Sequence, residues 1–75
     1  MPYLPILNSK QLVKLLKKIG FVEQRQKGSH LSLYNFETQI AVTVPIHSKT
    51  VGKGLTHSIL KQAGLTIKEV KKLLK

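Results

Sequence analysis

Residues 26–45 read QKGSHLSLYNFETQIAVTVP, and the alternation inside this stretch decides the fold. From His30 to Asn35, Leu31 and Leu33 point one way while His30, Ser32 and Tyr34 point the other, because successive side chains of a strand leave opposite faces. Gln39 to Val44 repeats the pattern, with Ile40, Val42 and Val44 on one face. Lys27-Gly28 supplies a turn before the first of these strands, and Asn35 to Thr38 a second turn between them. Pro45 has no N–H to donate and ends the pairing. Upstream, Val22 to Gln26 also has strand character. Three short strands joined by tight turns predict an antiparallel meander with one buried face and one open face.

The N-terminal side of this stretch carries a helix. Met1 to Leu7 contains Pro2 and Pro5, which favour an extended arm. Asn8 or Ser9 then offers a side-chain oxygen as a cap, and the helix runs to about Ile19. Leu12, Leu15, Leu16 and Ile19 share one side with Val13 on the flank, whereas Lys10, Lys14, Lys17 and Lys18 gather opposite. Gly20 sits where a left-handed residue can close the helix.

On the C-terminal side, Ile46 to Lys53 reads as a loop containing His47, Lys49 and Lys53. A second helix is predicted from about Gly54 to Ala63, with Leu55, Ile59, Leu60 and Ala63 inward and Gly64 as its stop. Thr66 and Glu69 have the spacing of a capping box for a third helix. Ile67, Val70, Leu73 and Leu74 form its inward side. The order α-β-β-β-α-α, with helices on one face of a three-stranded antiparallel sheet, is an α+β two-layer sandwich. Double-stranded-RNA-binding domains are built this way, a likeness of fold that does not carry function.

Seventy-five residues make a single domain with a thin core, so function is expected on an open surface. Thirteen Lys and Arg against three acids give a formal charge of +10, which draws polyanions by long-range attraction. Nucleic acid is the first partner this suggests, ahead of an acidic protein. All but one of these cations are Lys, the exception being Arg25, which favours attraction to the phosphate backbone over reading of base edges. There is no cysteine, in keeping with a reducing compartment. The start, MPYLPILN, lacks the pattern of a signal peptide, and no stretch is apolar enough to span a membrane. The expectation is a cytoplasmic protein, monomeric when free.

Histidine is the side chain best suited to proton transfer near neutral pH. His30 follows a glycine turn at the start of the central strand and points away from Leu31 and Leu33. Lys27, Gly28 and Ser29 stand beside it. A cation, a hydroxyl and an imidazole around a turn where backbone can be approached closely suit a phosphodiester. On such a site an RNA 2′-hydroxyl attacks its own 3′ phosphate, with His30 as general acid or base and Lys27, together with Lys49, stabilising the developing charge. The same histidine also fits an ordinary surface position, and Ser29 fits a turn hydrogen bond better than a nucleophile. His47, Lys49 and Lys53 are candidate phosphate contacts. His57 falls on the outer face of the second helix. No histidine pair has metal-ligand spacing, and neither metal nor other cofactor is expected. Tyr34 shares the open face with His30, either as sheet surface or as a platform for a base.

In combination, LPILNSKQLVKLLKKIGF, RQKGSH, VTVPIH and GKGLTHSILKQAGLTIKEV closely resemble the HicA (YcfA-like) toxins of toxin–antitoxin pairs. The resemblance runs from about Leu4 to Val70. It implies a double-stranded-RNA-binding-like fold and metal-independent cleavage of mRNA, with the G-S-H histidine, here His30, as the catalytic residue. It also implies a HicB-type antitoxin as partner. A non-catalytic RNA-binding module using the same basic surface is the alternative.

Overall fold

A computed structural model describes residues 7–46 and 50–73, apart from the side chains of Thr50, Lys53 and Ile67. The first helix, α1 (Ser9–Lys18), begins at Asn8. The Asn8 carboxamide oxygen accepts from the Gln11 backbone N–H at 2.8 Å, and the Gln11 side chain accepts from the Asn8 N–H at 3.0 Å. This reciprocal cap satisfies two donors that a helix start otherwise leaves without partners. Leu12, Leu15 and Leu16 are buried while Lys10, Lys14, Lys17 and Lys18 are exposed, as the spacing predicts.

The meander consists of β2 (Phe21–Lys27), β3 (His30–Asn35) and β4 (Ile40–Pro45), in spatial order β2-β3-β4 and antiparallel throughout. Leu31 opposes Val44 and Leu33 opposes Val42, and all four are buried. Their face is covered by α1 and by α2 (Lys53–Gln62), which both pack on β4. The helices therefore lie on one side of the sheet, and His30, Ala41 and Thr43 on the other side are exposed. α2 ends in a paired set of bonds: the Leu65 N–H donates to the Leu60 carbonyl and the Gly64 N–H to that of Lys61. That is a Schellman stop, and Leu60 and Leu65 both pack into the core. The Thr66–Glu69 box forms as expected and opens α3 (Ile67–Leu73), whose Val70 is fully buried. Leu74 lies outside the described residues.

Three expectations are corrected. The stretch expected as a loop from Ile46 to Lys53 contains β5 (Thr50–Val51), paired antiparallel with β1 (Leu7–Asn8). Leu7, expected at the end of an extended arm, is extended and pairs in a two-residue ladder, where it is buried opposite Val51. Lys53 is the first residue of α2 and not the end of a loop. Within α2, Leu55 is 48% exposed while Thr56 is 1% exposed. Residues 56, 59, 60 and 63 form the inward stripe because the Thr56 hydroxyl donates to the Val51 carbonyl at 3.4 Å, so threonine enters the core with its polar group satisfied.

Candidate active site

The site grows from the turn between β2 and β3. Lys27 and His30 are opposed residues across a two-residue connection, Gly28-Ser29. Gly28 has φ +61°, a left-handed conformation that most side chains resist. A Cβ placed there would meet nothing within 4 Å, so the turn is open to an approaching ligand. The Gln26 side chain donates to the Gly28 carbonyl at 3.2 Å, and the Ile46 N–H donates to the Ser29 carbonyl at 2.6 Å. The turn is held from both sides. Lys27, Gly28, Ser29 and His30 are all exposed.

A β-bulge decides which side chains accompany His30. Opposed residues of an antiparallel pair send their side chains to the same face. Phe21 opposes Asn35 and Glu23 opposes Leu33, on the helix-covered face. Uninterrupted alternation would carry Arg25 and Lys27 to that face too. The register shifts between Glu23 and Arg25, after which Arg25 opposes Ser32 and Lys27 opposes His30. The extra residue turns both cations onto the open face. Glu23 stays on the other side and forms an ion pair with Lys17 of α1. Among the described residues of the three strands, the open face therefore carries Arg25, Lys27 and His30 and no carboxylate.

On its other flank His30 opposes Pro45, the last residue of β4. The Ser9 hydroxyl of α1 donates to the Pro45 carbonyl at 2.6 Å and is buried. This bond ties the helix start to the strand end beside His30. Ser9→Ala should lower the unfolding free energy by about 1–2 kcal/mol, the cost of losing a buried hydrogen bond and stranding its acceptor. Urea denaturation of the two proteins measures it, and equal midpoints would show that the bond contributes nothing.

His47 and Lys49 lie outside the described residues, as does the side chain of Lys53. His57 is exposed on α2. Among the described residues no group of three His, Cys, Asp or Glu side chains could hold a metal ion, and no helix is long and apolar enough to cross a membrane. An open groove of about 930 Å³ lies between α1 and the sheet, lined by Val13, Leu31 and Ile46 and rimmed by Lys10, Lys14 and Lys17. It opens on the helix side, so it is not the surface to which His30 belongs.

Residues 9–65, from the start of α1 to just beyond the stop of α2, match the family described as HicA toxin of bacterial toxin-antitoxin. The chain belongs to the HicA toxin family. No curated protein matches it. As a HicA-family chain it is the toxin of a toxin–antitoxin pair, with an antitoxin as its partner. The match includes the whole Lys27–His30 turn, the bulge that orients it and the Ser9 anchor, whereas α3 lies beyond it.

Proposed function

We propose that this HicA toxin is a cytoplasmic endoribonuclease that cleaves mRNA without a metal ion, with His30 as general acid or base. The observation that carries the reading is the Lys27–His30 pair, set by a bulge and a glycine turn on a face that holds no carboxylate among the described strand residues. Such a face attracts the RNA backbone, and Lys27 lies where it can stabilise charge developing on a phosphate held beside His30. The 2′-hydroxyl gives up its proton as its oxygen bonds to phosphorus, the P–O5′ bond breaks, and the departing 5′-oxygen takes a proton. A histidine assisting either proton movement is worth roughly 10²–10⁴ in rate. Gly28 and Ser29 contact the phosphate through the turn, and His47, Lys49 and Lys53 complete the contacts from beyond β4. A HicB-type antitoxin inhibits the enzyme by covering this surface.

A second reading has one observation in its favour. Among the described residues, no other histidine or carboxylate joins His30 on the strands' open face. That suits a module that binds RNA without cutting it. Incubating the purified chain with end-labelled RNA in excess EDTA separates the two readings. The enzyme is expected to cut, leaving a 2′,3′-cyclic phosphate and a 5′-hydroxyl, and to spare an RNA with a 2′-deoxy residue at the cut position. Binding without cleavage identifies the module. Activity lost in EDTA and restored by magnesium would point instead to a metal-activated water.

A further inference from the structure

The open face holds a second feature at the end remote from His30. Tyr34 is half-buried on β3, and Phe36, in the turn that follows, stands edge-on to it with ring centroids 4.8 Å apart and planes at 81°. Phe36 is 65% exposed, an unusual position for a side chain that gains most by leaving water. The partners of Tyr34 across the sheet are Val22, itself 48% exposed, and Ala41. The alanine methyl is too small to cover a tyrosine ring. An aromatic pair with an uncovered flank thus sits on the same face as Arg25, Lys27 and His30.

We propose that Tyr34 and Phe36 form a stacking subsite for an unpaired base of single-stranded RNA, one end of a track whose other end is the Lys27–His30 pair. The inference rests on the nuclease reading and adds a base-binding position to it. Tyr34 and His30 are both on β3, four residues apart, which at about 3.4 Å per residue is roughly 14 Å. Arg25, opposite Ser32, lies between them and can follow the phosphates. A strand whose scissile phosphate lies at His30 therefore carries a base onto the aromatic pair a few nucleotides away. Duplex RNA keeps its bases inside and presents none to such a surface. The track selects unpaired RNA, and because every base has a π-face it does so with little sequence preference.

The test uses the full chain and non-cleavable 2′-O-methyl oligonucleotides, in which an abasic residue is moved one position at a time away from the bond that is cut in the ribose form. One abasic position is expected to weaken binding about tenfold, and Phe36→Ala to weaken binding of the intact oligonucleotide by a similar factor. In Phe36→Ala the same abasic position should cost little more, and Phe36→Tyr should restore binding whereas Phe36→Leu should not. Phe36 is exposed, so folding is not at risk, and equal melting temperatures verify this. Unchanged binding in Phe36→Ala, with cleavage intact, overturns the subsite and leaves the nuclease standing. Failure of the parent to bind or cut RNA overturns both. Loss of antitoxin binding with RNA binding unchanged would assign the aromatic pair to a protein contact and also overturn the proposal.

Discussion

Replacing His30 by alanine is expected to slow RNA cleavage at least about a hundredfold, the low end of what a general acid–base group supplies, while the fold stays as it is. The two halves of this expectation have separate physical origins. His30 is exposed, and it opens β3 opposite Lys27 and Pro45 with its side chain away from the helices. Substitutions at such surface positions usually change stability by no more than about 0.5 kcal/mol. RNA affinity should also persist, because attraction to the backbone comes from the lysines and Arg25 and not from the imidazole. His57→Ala is the matched control: the same residue type, exposed on α2 away from the sheet's open face, expected to leave cleavage unchanged. Melting temperature, RNA binding and cleavage are measured on both variants. Full cleavage by His30→Ala would remove His30 from the chemistry. Loss of cleavage through unfolding would show instead that the imidazole supports the fold.

The parts of this site that were legible in the sequence are those with a local signature. The alternation of Leu31 and Leu33 against His30, Ser32 and Tyr34 states which way His30 faces, and the structure agrees. The Asn8 cap, the Leu12, Leu15 and Leu16 stripe and the Thr66–Glu69 box are equally local, each spanning one or two helical turns. The bulge in β2 left no such trace. After Phe21 every residue of FVEQRQK is exposed, so no apolar rhythm shows where the alternation slips. Yet that slip is what brings Arg25 and Lys27 to the side of His30.

Two other features were hidden because they join distant parts of the chain. Leu7 and Val51 form a ladder too short to alternate, and the hydroxyl of Ser9 reaches the carbonyl of Pro45, 36 positions away. In α2 the ambiguity was one of phase. Positions 55, 59, 60 and 63 and positions 56, 59, 60 and 63 both make a plausible inward stripe, and leucine is the more apolar residue to begin it. Burial went to Thr56 because a carbonyl was available to its hydroxyl.

The opposite behaviour, stability lost with chemistry intact, is expected at Asn35. This residue ends β3 at the far end from His30, is 3% exposed, and uses both the nitrogen and the oxygen of its carboxamide. Its Nδ2 donates to the carbonyl of Ile19 at 3.1 Å, and its Oδ1 accepts from the N–H groups of Glu37 at 2.9 Å and Thr38 at 3.2 Å. One side chain thereby satisfies a carbonyl at the C-terminal end of α1 and shapes the turn into β4. Each bond contributes about 1 kcal/mol net, and more where its partner is left buried and unpaired. Asn35→Ala should therefore cost about 3 kcal/mol, a large share of the roughly 4–11 kcal/mol expected for a domain of this size. The urea midpoint should fall, while the dependence on denaturant, which follows the area exposed on unfolding, should stay the same. Gly20 supplies an internal check. It has φ +106°, and a Cβ there would stand 3.2 Å from Asn35 Nδ2. Gly20→Ala is destabilising through both its backbone conformation and this approach. Asn35→Ala removes the second cause, so the double variant should cost less than the sum of the singles by about 0.5 kcal/mol or more. Under conditions where Asn35→Ala is still folded, cleavage per folded molecule at saturating RNA should match the parent. An Asn35→Ala cost below about 1 kcal/mol would mean that water replaces the carboxamide and that this corner does not hold α1 to the sheet.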